Sequence, residues 1–201
     1  MCDETAFSEW LAKQLKAQSK EDIQKVCDEK YALYFLMTWN IFEKTLFDSD
    51  CRMGKALSAS DLIGKLAVKF DSQEQAALCR FFERYKNSSE YVRRLFNTTK
   101  EGKDVFASYL KKENFSDLLA EKEKAVKFAL CIIIRYRNNM FHGNKGVSSW
   151  LAYRQQINDC TCLMQHFISK NEQELLERPK AMSIIQDLQS RGLIAQTSDA
   201  E

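Results

Sequence analysis

The stretch that decides the fold is SDLLAEKEKAVKFALCIIIRYRNNMFHG, residues 116–143. Apolar side chains recur in it at intervals of three and four, and they become continuous from Phe128 to Ile134. This spacing is typical of an α-helix, and it makes the segment the most hydrophobic helix of the chain. Ser116 suits the N-cap and Gly143 suits the C-terminal stop. The sequence therefore predicts one long helix from Ser116 to Gly143.

The same helical spacing continues through most of the chain on both sides of this segment. Glycine occurs only 6 times and proline once in 201 residues, which disfavours a turn-rich all-β fold. We predict an all-α protein of about eight amphipathic helices. Their approximate ranges are 7–18, 20–47, from 60 onwards, 75–86, 89–95, 116–143, 149–176 and 180–194. In the second of them the apolar positions include Leu33, Tyr34, Met37 and Ile41.

Residues 97–114 differ from the rest of the chain because they are polar and contain Gly102. Only a short apolar segment, 105–110, interrupts them. We predict a loosely packed insertion here, within a single domain of residues 1–195 that ends in a frayed tail, 196–201.

Charge and cysteine content limit the class of protein. Thirty Lys and Arg residues oppose 28 Asp and Glu residues, so no strong overall field draws the chain to nucleic acid or a membrane. The seven cysteines are odd in number and lack CxxC spacing, and residues 1–7 are acidic. We expect a cytoplasmic protein with free thiols and no membrane association.

Most catalytic and cofactor motifs are missing from the sequence. It contains no GxGxxG, no GxxxxGK[ST] and no HExxH, so we predict no cofactor and no metal. Cys160 and Cys162 would lie about 200° apart on a helix and cannot hold one metal, so they are predicted to be buried small side chains. His166 lies in the apolar segment CLMQHFISK and is predicted to be a structural histidine.

Polar residues interrupt the apolar helix near its end, and this interruption needs a reason. Arg137 lies on the stripe formed by Val126, Leu130, Ile133 and Met140, where the pattern would place an apolar residue. A guanidinium at such a position must be paired or must face a cleft.

Two explanations for Arg137 remain open at this point. In the first, Arg137 forms an ion pair with a core carboxylate such as Glu43, and His142 caps the helix C-terminus. In the second, Arg137 and His142 form a functional site. Asn138 and His142 are neighbours at i and i+4, so the amide could orient the imidazole.

The segment RNNMFHG, residues 137–143, resembles the Arg-x4-6-His motif of the HEPN superfamily. These helical domains are named for their occurrence in higher eukaryotes and prokaryotes, and many are ribonucleases. Residues 34–43, YFLMTWNIFE, are similar to the aromatic-rich earlier helix that packs against the motif helix in such domains. Members controlled by adenylylation carry a tyrosine two residues after the histidine, where this chain has Asn144.

This resemblance implies an antiparallel helical bundle of HEPN type with extra helices, and a metal-independent endoribonuclease whose two protomers share a site. His142 would act as general base or acid, because imidazole titrates near neutral pH. Arg137 would bind the phosphate, and Asn138 would orient the imidazole. Flanking phosphates would be held by Lys145, Arg135 and Asn139.

The biological setting also follows only from the resemblance. HEPN nucleases serve as toxins or in defence against phage, often beside an antitoxin protein. Two alternatives compete with the enzyme. One is a non-catalytic HEPN module that binds RNA or a nucleotide, and the other is a helical interaction protein in which the motif is a buried ion-pair network.

Overall fold

The computed structural model describes residues 4–15, 28, 30–67, 69–96, 100–141 and 151–171. All regular structure in these residues is helical, which confirms the all-α prediction. The predicted helix at 180–194, the tail and most of residues 20–29 lie outside the described residues. The described helices are α1 (Glu4–Leu15), α2 (Lys30–Phe47), α3 (Met53–Ser58), α4 (Ser60–Leu66), α5 (Ser72–Lys86), α6 (Ser89–Phe96), α7 (Lys103–Tyr109), α8 (Phe115–Ala120), α9 (Lys122–Phe141) and α10 (Arg154–Ser169).

The single long helix predicted from Ser116 is two helices, α8 and α9, separated at Glu121. The N-cap of α8 is Asn114, whose side chain accepts a hydrogen bond from the Asp117 backbone N–H at 3.1 Å. The Asp117 carboxylate in turn accepts from the Asn114 backbone N–H at 3.2 Å. This reciprocal capping box starts the helix earlier than the predicted Ser116 cap.

Helix α9 is the centre of the packing. Every residue from Ala125 to Tyr136 except Lys127 is buried. The helix packs against α3, α4, α6, α7, α8 and α10. A helix that is apolar on all sides must be covered on all sides, and these neighbours provide that cover. None of the described helices has both the length and the apolar character that a membrane span requires.

The described part of the expected loose insertion, residues 100–114, contributes two side chains to the core. Phe106 on α7 is fully buried, and its ring lies 5.0 Å from that of Phe128 and 5.3 Å from that of Phe96, measured between centroids. Tyr85 on α5 contacts the same ring edge-on at 5.4 Å. Phe106 and Tyr109 therefore join the same core as α9, while the other side chains of residues 100–114 are exposed or half-buried.

Helix α2 buries its aromatic face and leaves several of its other apolar positions exposed. Its buried aromatic residues are Phe35, Trp39 and Phe42, and Phe42 packs on Phe167 of α10 at 6.4 Å between centroids. Apolar residues surround much of this helix, so periodicity alone could not select the face. The apolar positions named from the sequence are about half exposed, at 53%, 49%, 58% and 51% for Leu33, Tyr34, Met37 and Ile41.

Helices α5 and α10 run antiparallel. Arg80 on α5 donates two hydrogen bonds to the buried carboxylate of Asp159, at 2.9 and 2.6 Å. Further towards the start of α5, Glu74 lies beside His166, which is nearer the end of α10. Since the residue numbers rise along one helix as they fall along the other, the two helices point in opposite directions.

Replacing Phe106 with alanine should destabilise the protein by about 3 to 5 kcal/mol, because it removes a ring enclosed by three other aromatic rings. The matched control is Val105→Ala on the same helix, where the side chain is 40% exposed and the cost should stay within about 0.5 kcal/mol. Urea unfolding of both variants measures the difference. Equal stability of the two variants would contradict the packing described for α7.

Candidate functional site

Arg137 lies in the last described turn of α9 and is half-buried. Its guanidinium carbon is 5.3 Å from the centroid of the Trp39 ring on α2. Its Nη1 donates a hydrogen bond to Oδ1 of Asn138 at 3.1 Å. A guanidinium stacked on an indole and held by a neighbouring amide has a defined orientation.

The acidic group of this site is Glu43. Its Oε2 accepts a hydrogen bond from the Trp39 indole at 3.1 Å, and its Oε1 accepts from the Cys51 backbone N–H at 3.4 Å. The pKa of the Cys51 thiol is raised to about 12, foremost by burial and then by the Glu43 charge, while the Arg137 charge lowers it. The carboxylate and the guanidinium therefore occupy one neighbourhood, and Trp39 contacts both of them.

Arg135 and Asn139 have a different environment from Arg137. Both are buried, with 7% and 2% of their surface exposed. Arg135 donates to the backbone carbonyls of Leu95 and Phe96 at 3.1 and 3.3 Å, and Asn139 donates to the Leu95 carbonyl at 3.1 Å. These are carbonyls at the C-terminal end of α6, where a cation is favoured by the helix dipole. Burial lowers the pKa of Arg135.

The structure therefore corrects the roles predicted for Arg135 and Asn139. The donors of both side chains are turned to backbone carbonyls inside the protein, so we assign them to holding α6 against α9 in place of binding flanking phosphates. Arg135 and Arg137 are two positions apart, about 200° around the helix, which explains why they point to different neighbours.

His142 and Lys145 lie outside the described residues, and the side chain of Phe141 does so too. The predicted contact between Asn138 and His142 therefore stays a prediction. What the structure brings together around the motif is Arg137, Asn138, Trp39 and Glu43. The sequence had named Glu43 as a candidate partner, but it did not indicate that Trp39 would connect the two.

A second polar cluster was missed by the sequence analysis. His166, expected to have no charged neighbour, lies with its Nδ1 3.7 Å from Oε2 of Glu74. Asp71, Glu74 and His166 bring their potential metal-ligand atoms within 4.8 Å of one another. The i, i+3 spacing of the two acids was visible in the sequence. That they face His166, in a distant helix, was not.

The predictions for the two cysteines of α10 hold in part. Cys160 and Cys162 are both buried, as predicted. Cys162 is more than an apolar filler, because its thiol donates to Oε1 of Glu74 at 3.8 Å.

A groove of about 670 Å³ lies between α5, α6 and α10. Arg84 on its wall lies over the ring of Tyr91 at 4.2 Å and that of Tyr153 at 5.7 Å. Arg80 and Asp159 also line the groove. A cationic side chain between aromatic rings beside an open groove is suited to an anionic or planar ligand.

Comparison of the chain with models of protein families, with curated proteins and with solved structures finds no match. The described residues place the chain in the all-α class of folds. The arrangement of its side chains is the basis for a proposal about its function.

The different environments of Arg135 and Arg137 predict different effects of the same substitution. Arg135→Met should cost about 1 to 3 kcal/mol, since it leaves buried carbonyls of Leu95 and Phe96 without their donors. Arg137→Met, at a half-buried position on the same helix, should cost about 1 kcal/mol or less. Thermal and urea unfolding of the pair compares them. A larger loss for Arg137→Met would favour the buried ion-pair explanation of the motif.

Proposed function

We propose that the protein is a metal-independent endoribonuclease of HEPN type, with Arg137 and His142 as catalytic residues. The observation that carries the proposal is the position of Arg137. It is half-buried at the end of the central helix, oriented by Trp39 and Asn138, and five residues before the only histidine near it in sequence. The resemblance of residues 137–143 to the HEPN motif supplies the chemistry that these groups would perform.

In the proposed reaction His142 removes the proton from a ribose 2′-hydroxyl, and the 2′-oxygen attacks the adjacent phosphorus. The bond from phosphorus to the 5′-oxygen breaks, and that oxygen takes up a proton. Arg137 binds the phosphate oxygens and stabilises the charge that develops on them. Stacking on Trp39 uses the face of the guanidinium, whereas phosphate is bound by its edge, so both contacts are compatible.

Among the described residues, the side chains around Arg137 offer little to bind a metal, which supports a metal-independent reaction. Metal-dependent phosphodiester cleavage uses several carboxylates converging on one or two cations. Glu43 is the carboxylate in contact with Trp39 and Cys51 at this site, and both of its oxygens accept hydrogen bonds there.

Other parts of the proposal follow from the family resemblance alone. They are a homodimer in which two motifs face one shared cleft, a role as toxin or phage-defence effector, and an antitoxin partner. RNA is the proposed substrate, and the exposed apolar residues of α2, Leu33, Met37 and Ile41, are compatible with an association of chains.

A second candidate function is a non-catalytic module that binds RNA or a nucleotide. The groove beside Arg84 and Tyr91 favours it, because its described lining offers a cation and an aromatic ring but no histidine. Retention of RNA or nucleotide by the protein with no product under any condition would support this candidate over the enzyme.

The proposed chemistry predicts which substrates react. Purified protein should cleave RNA but not DNA, and excess EDTA should not slow cleavage, because the nucleophile is the substrate's own 2′-hydroxyl. Fragments should carry a 2′,3′-cyclic phosphate or its hydrolysed form, and a 5′-hydroxyl. Mass spectrometry of the products tests this. Cleavage beside a 2′-O-methyl group, or a strict requirement for magnesium, would contradict the mechanism.

Substitutions at the motif should separate catalysis from folding. Arg137→Ala and His142→Ala should each lower the cleavage rate by at least about a hundredfold and leave melting nearly unchanged. The matched control is Arg93→Ala, which removes an exposed arginine that pairs with Glu90 on α6. Cleavage time courses and thermal melts are recorded for all three. Wild-type rates in a well-folded Arg137→Ala variant would exclude the proposed site.

A further inference from the structure

The cluster between the start of α5 and the second half of α10 has the composition of a metal site. Asp71 is the residue before α5, Glu74 lies in its first turn, and His166 lies in the last turn of α10. Two carboxylates and one imidazole are a ligand set for a divalent transition metal, for which zinc is the commonest example in proteins.

The distances in the cluster fit ligands better than hydrogen-bond partners. Nδ1 of His166 is 3.7 Å from Oε2 of Glu74, which exceeds the range of about 2.7 to 3.2 Å for an N–H···O hydrogen bond. Two ligands at about 2.0 to 2.1 Å from a tetrahedral zinc ion lie about 3.3 to 3.4 Å apart. The full set, with Asp71, spans at most 4.8 Å, and small side-chain rotations would close it.

His166 provides an independent indication of a ligand. Only 7% of the residue is exposed, and its Nε2 is buried with no hydrogen-bond partner among the described residues. A buried ring nitrogen without a hydrogen bond is costly, and the other nitrogen, Nδ1, lies on the side of the ring that faces Glu74. Stacking on Phe70, at 5.3 Å between ring centroids, fixes the ring plane with Nδ1 towards Glu74.

The charges are also those that a cation would balance. Burial raises the pKa of Glu74, and contact with the Asp71 carboxyl raises it further. Burial lowers the pKa of His166, and the Lys170 charge lowers it as well. The cluster places two carboxyl groups beside one imidazole, and a divalent cation bound between them would balance carboxylate charge.

Cys162 contacts the cluster through its thiol and is not one of the three proposed ligands. Burial foremost raises the pKa of this thiol to about 11. It donates to Oε1 of Glu74 and leaves Oε2 facing His166. Asp71 is exposed at the surface, which gives an ion a path from solvent.

We propose that Asp71, Glu74 and His166 bind one zinc ion and that this ion joins the start of α5 to α10. The site is built from α5 and α10, whereas the motif arginine contacts α2. The proposal is therefore independent of the ribonuclease, and removal of the metal is expected to leave RNA cleavage intact at temperatures where the chain stays folded.

The key variant is Asp71→Asn. Asparagine is as good an N-cap as aspartate, so α5 keeps its cap while the site loses a charged ligand. The matched control is Asp117→Asn, which removes a carboxylate from the capping box of α8. His166→Gln is the second variant. The full-length chain is stripped with chelator, reduced, and titrated with Zn²⁺ against a chromophoric competitor.

The wild type and Asp117→Asn should bind one equivalent of Zn²⁺ with equal affinity and melt at a higher temperature when it is present. Asp71→Asn and His166→Gln should bind it at least about tenfold more weakly. Mg²⁺ at the same concentration should not raise the melting temperature. With Co²⁺ in place of zinc, the spectrum should lack the intense thiolate charge-transfer band that cysteine ligands would give.

Three results would overturn the proposal. They are no zinc uptake by the wild type, equal affinity in Asp71→Asn and the wild type, and a cobalt spectrum dominated by thiolate charge transfer. Because none of these measurements uses RNA, the metal site and the ribonuclease can each fail without the other.

Discussion

The burial of α9 on nearly all of its sides is the constraint on which the rest of the structure depends. The successive residues Phe128, Ala129 and Leu130 point about 100° apart around the helix and are all fully buried, so other elements must surround it. Short helices such as α3, α4 and α7 serve this purpose. Even the polar segment around Phe106 is ordered by it, because the phenyl ring packs on Phe128.

The same burial explains how the polar end of α9 is organised. Arg135 and Arg137 follow the apolar run and lie on different sides of the helix. Each guanidinium therefore needs partners on its own side. Arg135 and Asn139 reach the carbonyl end of α6, whereas Arg137 reaches Trp39 on α2. The two arginines, although only two positions apart in the sequence, therefore make different contacts. One holds a helix end, and the other is placed where a ligand could meet it.

The two polar contacts between α5 and α10 also differ from each other. Arg80 and Asp159 form a two-point ion pair, in which the buried carboxylate has a partner for both oxygens. One and a half turns earlier on α5, Glu74 and His166 lie close together at a distance beyond hydrogen bonding. The first contact is a direct hydrogen-bonded ion pair. In the second, Oε2 of Glu74 accepts a hydrogen bond from the Asp71 backbone N–H at 3.1 Å and faces Nδ1 of His166 without a hydrogen bond between them.

The sequence by itself determined that the protein is helical and that a continuous apolar run precedes Arg137, whereas the family resemblance, added to the residue types, made Arg137 and His142 the candidate site residues. Local spacing is sufficient for the helical assignment, because residues three and four apart share a helix face whatever surrounds them. Tertiary structure decided that α2 buries Trp39 while Met37 stays exposed, that Arg135 caps α6, and that Glu74 meets His166. The helical period does not contain this information, because which faces meet depends on how side chains from distant segments fill the space around α9.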